Sequence, residues 1–360
     1  PFLTIDRARI EVRNLIKKGL KENVQVYIMK GTYTLDKTII FGLDDSPKGN
    51  YTVTYQSYQN SKVIISSGQA VGKWVKAENV PGMQEVAKGH IWVADMPENV
   101  DTFRTLFDGE TRLTRAKSDK FTMPVNKKVK RADSQNTFYN KDRIYLRRVP
   151  FSNNEIKDWD NLSDVEVVFN PVPWNLNLIQ LESVDEKNKI GYLAFEANAM
   201  PFTNKKYSVA WIENVIDYLD EPGEWCVNTK TRKIYYWPKN GTPSNNIQAP
   251  KLMELLRVEG KIQYDLPNDI PARNINFKGL TFTKGDRSVW YKNRKGWGIQ
   301  HDWDTFDYGN ALLRFRGAEN CKVTECRFTN SGGSAMRLDL HAQNIEIKNN
   351  YIDYVGHMGI

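Results

Sequence analysis

From residue 311 onward, apolar and polar residues alternate in a pattern that repeats. When ALLRFRGAENCKVTECRFTNSGGS is set above AMRLDLHAQNIEIKNNYIDYVGHMGI, Asn320 falls over Asn344, a shift of 24 residues. Cys321, Val323, Cys326 and Phe328 then fall over Ile345, Ile347, Asn350 and Ile352. An earlier copy, RNINFKGLTF, fits the same template with Asn274, Ile275, Phe277, Leu280 and Phe282. Strand side chains alternate between the two faces, so each copy predicts short strands with apolar residues inward and Asn or Gly at the corners. A period in the low twenties indicates a stacked coil, in which every coil needs a neighbour to cover its inner face. The pattern therefore predicts an all-β chain built as a right-handed parallel β-helix; the hand is the one usual for such solenoids.

A second set of strands carries more chemistry. In LLRVEG, LLRFRG and MRLDLH, alternation points Leu256, Leu313 and Leu338 inward, followed by Val258, Phe315 and Leu340. The outward positions form one column of Arg257, Arg314 and Asp339, and a second of Glu259, Arg316 and His341. The outer face of stacked coils is long and shallow, a surface suited to an extended polymer, and here arginine dominates it.

Upstream, TIDRARIEVRNLIKKG places Ile5, Ala8, Ile10, Val12, Leu15 and Ile16 at mixed helical spacing, with Thr4 as N-cap and Gly19 as stop. This predicts an amphipathic helix capping the open end of the coils. VQVYIMKG, GTYTLDKTIIFG and YTVTYQSYQNSKVIISSG supply the first coils. The repeat then disappears. Residues 67–248 hold Trp74, Trp92, Trp159, Trp174, Trp211, Trp225 and Trp237. Short β-rich runs (HIWVAD, RIYLRRV, VEVVF, KIYYWP) recur there between turn residues, which predicts an inserted β-sandwich-like domain. The organisation expected is therefore cap helix and first coils in 1–66, insertion in 67–248, and further coils in 249–360. The last coil breaks off at Ile360, so more coils are expected beyond it. The start at Pro1 without Met suggests that a targeting segment has been removed.

Composition narrows the functional classes. The 51 Lys and Arg against 43 Asp and Glu give a net charge of +8, dispersed along the chain without a basic block, which argues against a nucleic-acid partner. No apolar window is long enough to span a membrane. Cys226, Cys321 and Cys326 are too few for a disulfide scaffold and lack zinc spacing. No metal and no cofactor is expected. A basic outer face fits an acidic polymer instead.

The segment GDRSVWYKNRKGWGIQHDWDTFDYGN (285–310) is far longer than a coil corner and mixes aromatics with Asp302, Asp304 and Asp307. Long loops of this kind are usually functional. Asp304 from this loop, with Asp339 and His341 from the outward columns, are the candidate acid/base groups. Arg257, Arg314, Arg316 and Arg337 are candidates for gripping uronate or sulfate groups, and Trp297 and Trp303 for stacking on sugar rings. Each has a simpler reading: turn capping for the loop aspartates, an ion-pair ladder for the arginines, and a solvated strand histidine for His341. In Gly223-Glu224-Trp225, a hairpin with a buried tryptophan suffices.

Several segments resemble a known family. PFLTIDRARIEVRNL with VQVYIMKGTYTLDKTIIF, FRTLFDGETRLTRAKS, YLDEPGEWCVNTKTRKIYYWPKNG and the return at IQAPKLMELLRVEG together resemble glycoside hydrolase family 141 and its β-helix relatives. The resemblance implies a β-helix carrying an inserted β-domain. It also implies a secreted, extracellular or periplasmic enzyme that cleaves plant or algal polysaccharide, with α-L-fucosidase and xylanase activities both represented; a monomer is expected. It does not place catalytic carboxylates on numbered positions. Two other readings stay open: a lyase on a uronate-containing polymer, and a non-catalytic carbohydrate-binding solenoid.

Overall fold

The computed structural model describes residues 1–124, 144–172, 175–197, 208–264, 266–287 and 307–360. Among them the chain is all-β with one α-helix, Ile5–Lys18. Thr4 caps that helix by accepting a hydrogen bond from the Arg7 amide at 3.1 Å, and Gly19 ends it with a φ of 88°. Ile5 and Val12 join the core of the coils, whereas Ile10 and Leu15 are exposed. The helix is held from the side. Asp45, almost fully buried, accepts from Arg13 Nε at 2.6 Å, Arg13 Nη2 at 2.7 Å and Arg9 Nη1 at 3.1 Å.

Three parallel sheets follow, and the chain visits them in turn. The first is ordered Val24–Ile28, Val53–Ser57, Ile275–Lys278, Lys322–Thr324 and Glu346–Lys348. The second is ordered Gly31–Thr34, Val63–Ser66, Thr281–Gly285, Arg327–Ser331 and Tyr351–Val355. In the third, Ile39–Phe41, Leu256–Glu259, Ala311–Glu319 and Ser334–Gln343 lie side by side. The repeat read from the sequence is the register of the first two sheets: Val323 lies beside Phe277 and Ile347, and Phe328 beside Phe282 and Ile352. Phe282 and Phe328 stack with centroids 4.7 Å apart. The corner asparagines Asn274, Asn320 and Asn344 all have positive φ (61°, 54° and 53°), a conformation that Asn tolerates better than most residues. The Asn344 side chain donates to that of Asn320 at 3.1 Å. Cys321 and Cys326 are buried free thiols on the inward side.

In the third sheet the last strand departs from the expected register. Leu313 pairs with Met336, Phe315 with Leu338, Arg314 with Arg337 and Arg316 with Asp339, not Arg314 with Asp339 and Arg316 with His341. A bulge between Arg316 and Ala318 then sets Leu340 and His341 against Gly317 alone, with Leu340 at a φ of 57°. The register ahead of the bulge already places Asp339, not His341, beside Arg316.

The coil series is interrupted between its second and third sheets. Gly68–Ala70 leads away and pairs antiparallel with the returning Ile247–Pro250. In between, a five-stranded mixed sheet, a six-stranded antiparallel sheet and two strands added to the lead-in pair make up the intervening segment. Trp225, Val227, Ile234 and Tyr236 of the five-stranded sheet share one apolar cluster with Ile247 and Ala249, so those two sheets face each other. The six-stranded sheet has a separate core, including Val167, Ile179 and Ile212. RIYLRRV is not a strand throughout: Ile144–Arg147 is a 3-10 turn and strand begins at Arg148. Leu146 and Val149, three residues apart, are both buried there.

The intervening segment docks on the coils at the corner leaving the second sheet. The Asp286 carboxylate accepts from the Arg104 amide at 2.9 Å and the Thr105 hydroxyl at 2.9 Å. Arg287 donates to Glu166, a buried carboxylate that Arg115 also contacts. Among the described residues, no helix is long and apolar enough to cross a membrane.

Candidate functional site: an arginine–carboxylate face

The alternation that sends Leu256, Leu313 and Met336 into the core sends Arg257, Arg314 and Arg337 to the other side of the third sheet. Arg314 is nevertheless buried, with 2% of its side chain exposed. The expected open groove is closed at this point, because carboxylates from three separate segments cover the guanidinium. Arg314 Nη2 donates to Asp339 Oδ2 at 2.5 Å and to Asp307 Oδ1 at 2.9 Å. Arg314 Nη1 lies 3.6 Å from Glu254 Oε2.

The network extends along both columns. Arg337 donates from Nε to Asp339 Oδ2 at 3.0 Å, so Asp339 bridges the two registered arginines. Arg316 binds Asp307 through Nε and through Nη2, the latter at 2.7 Å, and reaches Glu259 at 3.3 Å. Arg257 holds Glu254 at 2.8 Å and Glu259 at 3.2 Å. The Tyr264 hydroxyl donates to Asp307. Four guanidinium groups thus face Glu254, Glu259, Asp307 and Asp339, so the predicted grip arginines are brought together, but as an ion-pair lattice.

The carboxyls are not equivalent. Burial raises the pKa of Glu254, and Arg257 and Arg314 offset only part of that effect. Glu254 Oε2 is buried without a hydrogen-bond partner among the described residues, and a Cβ on Gly309 would come within 2.7 Å of the Glu254 carboxyl carbon. At Asp307 burial again works against the charge, but hydrogen bonds from Arg316 and Tyr264, with the Arg314 charge, outweigh it and hold the carboxyl well below its usual range. Two carboxyls on one guanidinium are therefore driven in opposite directions, the pattern that divides proton donor from ionised partner in acid–base sites.

The other predicted residues fall elsewhere. His341 sits between Glu319, 2.7 Å from Nε2, and Asp269, 3.4 Å from Nδ1. Its column position beside Arg316 is occupied by Asp339. Asp304, Trp297 and Trp303 lie outside the described residues. His357, at the corner of the following coil, has Nδ1 3.1 Å from Asn310 Nδ2 and 3.2 Å from Ser334 Oγ. Trp225 is fully buried, and the Glu224 carboxylate accepts from the amides of Asp220 at 3.3 Å and Glu221 at 3.4 Å, which matches the hairpin reading of that motif. Glu254 was not singled out in the sequence. Its signal is a lone ionisable residue within the apolar run LMELL. No group of three or more His, Cys, Asp or Glu suited to a metal occurs among the described residues.

Comparison with known proteins fits this architecture. Residues 89–239 match the family model described as the GH141 insertion domain, so that segment is similar to the domain the model describes. A solved structure described as a glycoside hydrolase superposes with a TM-score of 0.65 at 17% identity, over 93% of this chain and 60% of the other. The present chain thus spans about 60% of the length of that structure, and the likeness is one of fold. Two further structures align more loosely. A complex of XylC with xylose gives a TM-score of 0.33 at 12% identity, over 97% of this chain and 55% of the other. The tailspike protein gp49 from Pseudomonas phage LKA1 gives 0.18 at 10%, over 94% and 41%. No curated protein matches in sequence.

Proposed function

We propose that the whole protein is a secreted glycoside hydrolase acting on an acidic or sulfated plant or algal polysaccharide, with its three parallel sheets forming a right-handed parallel β-helix and residues 67–248 an insertion in it. The observation that carries this reading is the GH141 insertion domain at 89–239, set in a fold that matches a glycoside hydrolase. Glycoside hydrolysis needs one carboxyl to protonate the leaving oxygen and a second, ionised, to attack or to activate water. Asp339, gripped by Arg314 and Arg337, suits the ionised role. Glu254, whose burial favours the protonated form, suits proton storage beside it. Arg316 and Arg337, with 16% and 12% of their side chains exposed against 2% for Arg314, are the arginines a substrate carboxylate or sulfate would meet first. Arg314 and Arg257 hold the carboxyls in place. Fucosidase-like and xylanase-like specificities are the two substrate classes in view.

The test is product analysis of the whole protein on pectic, sulfated algal and xylan substrates, reading reducing ends beside the ultraviolet absorbance of unsaturated sugars. New reducing ends without unsaturated product are expected. Unsaturated product would replace hydrolysis by elimination, and absence of any cleavage would leave a binding protein.

A further inference from the structure

The five- and six-stranded sheets carry a groove that the arginine face does not use. It lies between the segment ending in Phe121–Thr122, the turn at 152–155 and the chain around Tyr218–Asp220, and has a volume of about 690 Å³. Its walls are more polar than apolar and include Gln84, Asp119, Thr122, Ser152, Asn154 and Asp220 beside the Phe121 and Tyr218 rings. Such a lining suits a hydrated, hydroxyl-rich ligand better than an apolar one.

The walls are set in advance. Gln84 Nε2 donates to the Asp217 carbonyl at 2.5 Å and to Asp220 Oδ2 at 3.1 Å. Glu155 is fixed by the Asn153 amide at 2.7 Å and by its side chain at 3.1 Å, and the Tyr218 hydroxyl donates to the Glu155 carbonyl at 2.9 Å. The Tyr218 ring is braced edge-on by Trp159. These bonds leave groups to spare. The Asp119 carboxylate, the Thr122 and Ser152 hydroxyls and the Asn154 amide nitrogen have no hydrogen-bond partner among the described residues. Preformed walls with unspent donors and acceptors lower the ordering cost of binding.

Charge decides the class of ligand. Asp119, Glu155 and Asp220 line the groove against Lys120, whose ammonium lies 5.5 Å over the Trp211 ring. Burial, with the charges of Glu221 and Asp119, raises the Asp220 pKa against the hydrogen bond from Gln84, so Asp119 and Glu155 carry more of the wall's charge than Asp220 does. An acidic wall repels uronates and sulfates, the groups that the arginine face would attract. We infer that this groove is a second carbohydrate site, which takes a neutral, hydroxyl-rich glycan segment while the coil face handles charged sugars. The choice of a glycan rests on the hydrolase reading; the groove and its polarity do not.

The experiment is affinity electrophoresis of the full chain in gels containing β-glucan, mannan or unsubstituted xylan, with polygalacturonate as the anionic comparison. The double variant Asp119→Ala/Asn154→Ala changes two exposed positions, and a melting curve checks that it folds. Retardation of the parent by at least one neutral glycan, weakened about tenfold in the variant, is the expected result. Cleavage of short soluble fragments should be the same in both proteins. Equal retardation of parent and variant, or retardation by polygalacturonate alone, would overturn the inference. Because binding is read without turnover, an inactive protein that is still retarded refutes hydrolysis and leaves the groove standing.

Discussion

At the scale of single residues, burial and local partners set the chemistry. Glu224 is 4% exposed, and burial pushes its carboxyl from 4.5 up to about 7. The folded state then holds a proton that the unfolded chain releases. The associated stability is fully present below pH 4.5 and is lost as pH rises through about 7. Glu224→Gln, which mimics the protonated form, should flatten the melting temperature between those limits, removing a contribution of up to about 3 kcal/mol. An unchanged pH slope would show that Glu224 ionises normally. Arg314 is the opposite case, a buried cation whose loss strands three carboxyls. Arg314→Met should cost about 3–5 kcal/mol in denaturant unfolding, and a loss below about 1 kcal/mol would mark the lattice as surface-like. The arginines were visible in the sequence because alternation exposes their column. Of their partners, Asp339 stands in the column read from the sequence and Asp307 in the long loop, but Glu254 was not legible, because it sits in an apolar run that only the folded chain brings against Arg314.

At the scale of elements, the repeat was legible because its strands and corners recur. Val323, Phe328 and Asn320 lie where a shift of 24 residues placed them. The corner column makes a separable prediction. Asn344→Gly should keep the left-handed turn and lose only the bond to Asn320, while Asn344→Ala should lose both and cost about 1 kcal/mol more. Equal melting temperatures for the two variants would show that the backbone conformation is not what Asn supplies. The last strand of the third sheet lies two residues from its expected register, because Met336/Leu338 and Leu338/Leu340 satisfy the same period of two and alternation alone does not choose between them. The helix was legible down to its caps, but its Arg9–Asp45–Arg13 clasp was not, because Asp45 reads as a loop residue. Asp45→Asn should weaken that clasp and make the amides of Ile5–Lys18 exchange faster than those of the coils, as read by hydrogen exchange.

At the scale of the whole molecule, Glu166 and Asp286 join the two parts. Three arginines surround Glu166 and, against its burial, hold its carboxyl far below the usual range, so Glu166 stays charged down to strongly acid pH, whereas burial raises the pKa of Asp286. Glu166→Gln leaves Arg104, Arg115 and Arg287 short of one negative charge. Calorimetry should then resolve two unfolding transitions where the parent shows one. A single transition in the variant would place the coupling in the Asp286 bonds instead.

The lead-in and return strands at Gly68–Ala70 and Ile247–Pro250 have a consequence for the order of assembly. Ile39–Phe41 finds its partner only at Leu256–Val258, so on the ribosome the first coils must wait for more than 200 intervening residues to emerge. Closing so long a loop at random is slow. A segment that folds first and brings its own two ends together replaces that search with a short gap. Ser67 and Leu252 already exchange hydrogen bonds at 3.3 and 3.1 Å across it. Where the intervening segment folds first, its joined ends hold Ile39–Phe41 near the place where Leu256–Glu259 will arrive.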